Sequence, residues 1–461
     1  MLTYDVAVLG AGPGGYVAAL RAAKRGAKTC VIEVGKIGGV CLNVGCIPTK
    51  AMLHAGEVFS HMARLPEYGF VGAGKPTVDG AAYMKRVAGV VEGLTKGVER
   101  LMKSRKVDVI RGRGKLTARD TLEVAGPNGA QQVRAKSIII ATGARAARPA
   151  FLPFDSGRVW TTDEATTAKT LPESVLIIGG GVIGCEFATV YAELGIATTV
   201  VEMLDRLVAN VDEDAAKAIH KSLQQRGAKV HTKAKMVGMK ATKSGVAAEL
   251  EGGEKLQAAI ALAAVGRLPN VEDIGLEAVG VKLDGKIIQV DDCCRTTVEG
   301  IYAIGDCAET RQYAHLASRM GVVAADNATG HAARDPRNVV PVGIYTHPEV
   351  ATVGLSEAEA AKSGKKVRVA RFFYQGSGMA RAYGETEGQV KLIADETLGE
   401  ILGGVVIGQH ATDVIQGIAL AMRNELTVDE LAETIHPHPT FVEGVMEAAE
   451  SWLGYPIHSA G

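Results

Sequence analysis

The chain has 461 residues, enough for about three domains at roughly 150 residues each, so a single small module is excluded. Its 51 Lys and Arg balance 51 Asp and Glu, and this zero formal charge excludes a general attraction to nucleic acid or to an anionic membrane. With 47% hydrophobic and 22% charged residues the composition is that of an ordinary folded protein, neither disordered nor fibrous. The 56 glycines, about 12% against an average near 7%, announce tight turns and close backbone approaches. No apolar run reaches membrane-spanning length, and a strand starting at Tyr4 leaves no room for a signal peptide, so a soluble, cytoplasmic protein is expected. Seven cysteines, an odd and sparse number, argue against a secreted disulfide framework; paired cysteines here would be redox-active rather than structural.

Along the chain, apolar Val6-Ala7-Val8-Leu9 runs into Gly10-Ala11-Gly12-Pro13-Gly14-Gly15, a helical stretch over 16–25, and Thr29-Cys30-Val31-Ile32 ending at Glu33. The segment 38–50 carries Cys41 and Cys46. A helix is expected over 81–106, two short hairpins around Gly112 and Gly126, and a buried strand over 137–143 that ends in a tight turn. Val175-Leu176-Ile177-Ile178 then runs into Gly179-Gly180-Gly181-Val182-Ile183-Gly184, a helix to Leu194, and Thr198-Thr199-Val200-Val201 ending at Glu202. Wording like that of 137–143 returns at 301–306. From about Pro341 strands over 367–373 and 389–394 and helices over 413–423 and 427–434 make a third domain of mixed α+β character.

The two glycine turns form an internal repeat. From first glycine to terminal acid, 10 to 33 and 179 to 202, the interval is 23 residues in both copies. One glycine-rich turn is weak evidence, since many only close a strand. Here each follows a strand, opens a helix and has an acid at the right remove, which makes it a dinucleotide-binding fingerprint. The first glycine makes the turn, the second lets backbone N–H groups approach a pyrophosphate, the third permits close helix packing, and the helix N-terminus favours the phosphate charge. Two dinucleotides are implied. Glu33 and Glu202 would each accept from a ribose hydroxyl pair, and an acid there repels a 2′-phosphate, which favours NAD over NADP; Arg206, four residues past Glu202, could soften that discrimination.

Residues five apart in a regular α-helix have Cα atoms roughly 8 to 9 Å apart, whereas a disulfide needs about 4.4 to 6.8 Å. If Cys41 and Cys46 bond, the segment between them is not regular helix, and Gly45 and Pro48 supply breakers. The other readings are two buried thiols or a zinc pair, the last poorly supported because no second ligand pair follows. Cys30, Cys185, Cys293, Cys294 and Cys307 lie in apolar or strand-like stretches and read as core, with strand alternation turning Cys293 and Cys294 to opposite faces. Near the C-terminus His436 and His438 both precede proline, so a helix begins no earlier than Pro439, and Thr440-x-x-Glu443 matches a capping box.

Gly39-Val40-Cys41-Leu42-Asn43-Val44-Gly45-Cys46-Ile47-Pro48-Thr49-Lys50 and His436-Pro437-His438-Pro439-Thr440-Phe441-Val442-Glu443, with 265–270, 303–306 and 345–351 in order between them, resemble the flavoprotein disulfide reductases, above all the dihydrolipoamide dehydrogenases. The resemblance spans 2–455. It implies an α/β fold with two Rossmann-like dinucleotide-binding domains, for FAD and NAD, and a C-terminal α+β dimerisation domain. The division would be 1–146 and 266–338 for FAD, 147–265 for NAD and 339–461 for dimerisation. FAD would lie on Gly10, Gly12, Gly14, Gly15 and Glu33, with Lys50 near the flavin ring. Gly114 and Ala144 would stand on its adenine side beside Thr142 and Gly143, and Asp306, Ala314 and His315 would complete the site. Where the family usually shows Met-Leu-Ala-His this chain has Gln312-Tyr313-Ala314-His315, so only the last two contacts carry over. NAD would use Gly179, Gly181, Val182, Ile183, Gly184, Glu186, Glu202, Ala234 and Gly266.

The resemblance also implies a redox-active disulfide between Cys41 and Cys46, with His438 as the base that deprotonates a substrate thiol and Glu443 as the carboxylate that orients it. Orienting His438 and capping the helix then compete for the oxygens of Glu443. The expected partners are a second copy of the chain, whose His438 segment reaches these cysteines, and the lipoyl and subunit-binding domains of an E2 acyltransferase. The implied reaction oxidises dihydrolipoamide and reduces NAD⁺. Alternatives are glutathione reductase, which would want basic residues at Glu202 and Met203, mercuric reductase, which usually ends in a cysteine pair absent from 454–461, and a non-catalytic subunit of a large complex.

Overall fold

The structure is a computed structural model that describes every residue except 73, 75, 128, 336, 460 and 461. The first apolar strand, Leu2–Leu9, is the centre of a parallel sheet because both of its faces are covered, leaving Val6, Ala7 and Val8 without solvent exposure. Thr29–Glu33 and then Asp108–Arg111 flank it on one side, and Gly129–Ile140 on the other. Gly129–Ile140 is long enough to join the parallel and antiparallel parts of one seven-stranded sheet. Its second half pairs with Leu2–Leu9 and Ile301–Ala303, while its first half turns back into the antiparallel meander Thr121–Gly126 and Arg113–Ala118.

The hairpin expected around Gly126 is present, but the one around Gly112 is not. The Gly112 N–H continues the parallel pairing onto Glu33 O, and the chain then crosses to the meander, whose tight turn falls at Arg119 and Asp120 instead. The helix expected over 81–106 runs from Gly80 to Ser104, started by Asp79, whose carboxylate accepts from the Ala81 and Ala82 N–H groups.

The second glycine unit builds a five-stranded parallel sheet in the order Lys229–His231, Ala197–Val201, Ser174–Ile178, Ile260–Ala263, Val159–Trp160. The C-terminal domain is an antiparallel sheet of Val342–Ile344, Val350–Gly354, Ile401–Ile407, Gln389–Asp395 and Val367–Phe373. Both central strands, Gln389–Asp395 and Ile401–Ile407, are buried along their whole length. One face packs on helices Ala411–Arg423 and Glu443–Leu453; the other shares its core, through Ile344, Val350, Val405 and Ile407, with the second parallel sheet. Among the described residues no helix is long and apolar enough to cross a membrane.

Candidate active site

The two glycine turns are built alike to within a few degrees. Gly10 and Gly179 sit at φ +105° and +102°, a conformation L-residues avoid, and turn the chain from strand into helix. A Cβ at Gly15 would lie 2.0 Å from Gly10 O, and one at Gly184 would lie 1.9 Å from Gly179 O, so each helix can reach its turn only without a side chain. A Cβ at Gly12 or Gly181 meets nothing within 4 Å, which leaves the helix N-terminus open where a pyrophosphate would rest.

The terminal acids repeat the same geometry. Glu33 accepts from the Ala11 N–H at 2.7 Å and the Gly35 N–H at 2.6 Å; Glu202 accepts from the Gly180 N–H at 2.6 Å and the Leu204 N–H at 2.7 Å. Each carboxylate is thereby fixed beside its turn with oxygen lone pairs left over for a diol. The Arg206 guanidinium donates to Ala209 O at 3.0 Å, and its side chain does not line the cleft.

Cys41 lies in the short helix Gly39–Asn43 and Cys46 is the first residue of helix Cys46–Ala63, so the regular helix is broken at Val44 and Gly45, as a close cysteine pair requires. A Cβ at Gly45 would stand 3.1 Å from Val40 O and 3.4 Å from Cys41 Cα, so a larger residue would wedge the sulfurs apart. Pro48 does not act as a breaker. It occupies the first turn of the helix, where the missing N–H has no partner to lose. Both cysteines are free thiols. The Cys41 thiol donates to the Cys46 sulfur, and this hydrogen bond, helped by the Lys50 ammonium and opposed by burial, brings Cys46 down to about 7. The same bond, with burial, pushes Cys41 up. Cys46 is therefore the sulfur of the pair that ionises more readily, at a helix N-terminus that favours negative charge.

Lys50 Nζ binds both carboxylate oxygens of buried Glu186 at 2.8 Å and lies 4.4 Å from the Tyr345 ring centroid. Glu186, expected on the nicotinamide side, thus also ties the second glycine helix to the cysteine helix one turn beyond Cys46. The Tyr345 N–H donates to Glu186 at 3.1 Å, adding the C-terminal domain to the same junction.

One cleft of about 1780 Å³ joins both glycine turns to the cysteine pair, well above the few hundred cubic ångströms of an ordinary ligand pocket. Every expected nucleotide residue lines it except Gly184, whose part is packing. Burial raises the Asp306 carboxyl, opposed by Arg267, and lowers His315, which stacks on Tyr313 at 5.4 Å. Phe151, Met203, Asn210, Arg267 and Asn270 line it too. Of these, Arg267 and Asn270 fall in the segment 265–270 that carries part of the resemblance; Phe151 and Asn210 carried no signal in the sequence. The residues fit two dinucleotides: two open helix N-termini, an acid fixed beside each, and a dithiol in the same cleft.

His438 and Glu443 do not reach this cleft in their own chain. His438 Nδ1 lies 2.7 Å from Glu443 Oε1, and its side chain is 80% exposed. The helix begins at Glu443, no earlier than Pro439 as expected, but the capping box does not form: Thr440 Oγ1 donates to Pro437 O. The competition expected for Glu443 is also absent, since Oε2 takes the Thr440 N–H at 2.7 Å while Oε1 serves the imidazole. His436 Nδ1 instead meets Thr434 O at 2.7 Å. Cys30, Cys185, Cys294 and Cys307 are fully buried. Cys293 and Cys294 lie in a turn rather than a strand, with Cys294 at φ +61° and Asp291 accepting from the Cys293 N–H.

Comparison with known proteins gives the same outline. Residues 4–321 match the pyridine nucleotide-disulphide oxidoreductase family, and residues 340–449 match its dimerisation domain. A dihydrolipoyl dehydrogenase of Rhizobium etli is 40% identical, covering 99% of both chains, and one of Bacillus subtilis is 39% identical, covering 98% of this chain and 97% of its own. Among solved structures, LpdA from Mycobacterium tuberculosis superposes with a TM-score of 0.90 at 29% identity, over 98% of this chain and 99% of that one. The HOCl-induced flavoprotein disulfide reductase RclA from Escherichia coli, as its Cu(II) complex, superposes at 0.89 with 25% identity, over 98% and 100%.

Proposed function

Because the chain belongs to the pyridine nucleotide-disulphide oxidoreductase family, we propose that it works as a dihydrolipoyl dehydrogenase, oxidising dihydrolipoamide on a carrier domain and reducing NAD⁺. The observation that carries this reading is a close cysteine pair, one sulfur poised as thiolate, in a single cleft with two dinucleotide turns. FAD, bound along Gly10–Gly15, Glu33, Gly114, Thr142–Ala144, Asp306, Ala314 and His315, supplies the electron transfer between dithiol and nicotinamide. Glu202 and the turn Gly179–Gly184 hold NAD.

The chain's own residues handle the thiols and protons. Glu443 as a carboxylate can only accept, so His438 Nδ1 carries the proton and Nε2 is free to act as base. That imidazole, supplied by a second copy, takes the proton of a substrate thiol whose unaided pKa is near 8.5. The resulting thiolate attacks Cys41 Sγ, the Cys41–Cys46 bond breaks, and Cys46 leaves as the thiolate that the Lys50 charge favours. The second substrate thiol then attacks the sulfur bound to Cys41, closing the lipoyl disulfide; its proton passes by way of His438 to the departing Cys41, which leaves as the thiol, so that one proton stays on Cys41 and one on the imidazole. A homodimer completes two such sites, and the lipoyl arm belongs either to an E2 acyltransferase, whose subunit-binding domain would hold this chain in a 2-oxo acid dehydrogenase complex, or to the lipoyl carrier of a glycine cleavage system.

The test is a steady-state comparison of dihydrolipoamide, glutathione disulfide and mercuric ion with NAD(H) and NADP(H). The reading requires turnover with dihydrolipoamide and NAD⁺ to exceed the others; preference for glutathione disulfide with NADPH would overturn it.

A further inference from the structure

Lys391 is the deepest charge in the C-terminal domain. It lies mid-strand in Gln389–Asp395, its side chain 1% exposed. Its ammonium is not spent within that domain alone. Nζ reaches Asp212 Oδ1 and Asp214 Oδ2 at 2.6 Å, both from the second parallel domain, and Glu357 Oε2 at 3.0 Å. Burial opposes the charge, but the three carboxylates outweigh it and hold the ammonium above its ordinary pKa. Arg371 and Gln389 supply further donors to Asp214, at 3.2 and 3.1 Å. Asp212 is itself 2% exposed on its side chain, and its Oδ1 caps helix Glu213–Gln225 by accepting the Asp214 N–H.

The segment that ends at Asp212 begins at Glu202. Over 203–211 it lies across the second glycine turn. Leu207 packs so tightly on Gly180 that a Cβ there would meet Leu207 Cδ2 at 2.4 Å, and the Val208 N–H donates to Gly180 O at 2.8 Å with Val208 itself at φ +40°. Met203, Leu204 and Asn210 of this strap line the cleft. One end is thus fixed by Glu202 on the turn and the other by Asp212 on Lys391. A strained residue such as Val208 persists only where its surroundings over-determine it.

We propose that Lys391 is a positioning residue for the pyridine nucleotide. It pins the strap 203–211 from outside the nucleotide domain and so holds the Gly179–Gly181 turn and Glu202 in binding geometry. This rests on reading the second turn as the nicotinamide-nucleotide site. The FAD turn has no such link to Lys391, so the effect is confined to one cofactor.

The test uses the flavin-loaded protein and two variants. Lys391→Met alone strands buried carboxylates and risks misfolding. The double variant Lys391→Met/Asp212→Asn removes the pair together and keeps a helix cap, since asparagine caps as well as aspartate. NADH binding is read directly by fluorescence titration, with the KM for NAD⁺ and for dihydrolipoamide and the FAD content alongside. The double variant is expected to bind NADH about tenfold or more weakly and to raise the KM for NAD⁺ equally, as a misplaced site does. FAD content, the KM for dihydrolipoamide and kcat at saturating NAD⁺ should stay as in the parent. Unchanged NADH affinity in a folded variant, or a matching loss of FAD, would overturn the proposal. Binding is measured apart from turnover, so a parent protein that binds NADH but does not oxidise dihydrolipoamide would contradict the functional reading while leaving the role of Lys391 standing.

Discussion

His438 Nδ1 and Glu443 Oε1 stand 2.7 Å apart, and the other oxygen of the same carboxylate takes the Thr440 N–H at 2.7 Å. One residue therefore fixes both the imidazole and the loop that carries it. Replacing His438 by glutamine removes the base and should lower kcat for dihydrolipoamide by about a hundredfold or more. Glu443→Gln should cost less, about tenfold, because the one amide oxygen can still accept from Nδ1 while the contact to the Thr440 N–H and the charge that stabilises the imidazolium are lost. Stopped-flow reduction by dihydrolipoamide checks both; equal rates for parent and variants would remove the pair from the mechanism.

The Cys46 thiol near 7 owes its position first to Cys41 and next, against burial, to Lys50. Lys50→Met removes that positive charge and leaves Glu186, whose charge raises Cys46, without its 2.8 Å partner. The thiolate pKa should climb by about one unit or more. The rate of iodoacetamide alkylation of the reduced enzyme against pH measures it, and a midpoint unmoved or lowered would contradict the assignment.

Glu202→Ala loses two backbone anchors and the charge that repels a 2′-phosphate. Affinity for both nucleotides should fall, NADH more than NADPH, so that the preference narrows on the order of tenfold. The ratio of kcat/KM values for the two nucleotides decides it, an unchanged ratio meaning that selection lies elsewhere.

Asp326 joins helix Ala314–Ala328 to helix Pro13–Lys24, accepting from Arg21 at 2.7 and 2.8 Å and from Arg25 at 2.8 Å. Arg21, then Arg25, hold its carboxyl at about 2 against some burial. A depressed acid stabilises the fold above its unfolded value near 4, and the benefit is lost as pH falls from there toward 2. Asp326→Asn should therefore cost at most about 2 kcal/mol at neutral pH, with the gap closing below about pH 3. Denaturant titrations at several pH values test this; a gap that persists in acid would show that packing, not charge, is at stake.

Much of the site was legible because its parts are local. The interval from Gly10 to Glu33 and from Gly179 to Glu202 encodes a strand, turn, helix and strand, and the two copies superimpose down to which carbonyl each Cβ would strike. The cysteine pair was legible because Gly45 stands between its members. What failed was non-local. Gly112 resembles a hairpin turn, yet its strand pairs across to Glu33, and the true turn at Arg119 and Asp120 has no glycine to mark it. Glu443 was read as forced to choose between two roles because a sequence does not show that its two oxygens face different ways. The burial of Lys391 carries no local signal, because Asp212 and Asp214 reach it from another domain.

The central claim is that electrons pass through the bond between Cys41 and Cys46. Alkylation of the purified, oxidised protein before and after stoichiometric anaerobic dihydrolipoamide, followed by peptide mass analysis, tests it most directly. The account predicts that Cys41 and Cys46 are protected before reduction and labelled after it, with Cys46→Ser retaining flavin but producing no NADH. Labelling of both sulfurs before reductant is added, or NADH formation by Cys46→Ser, would contradict it.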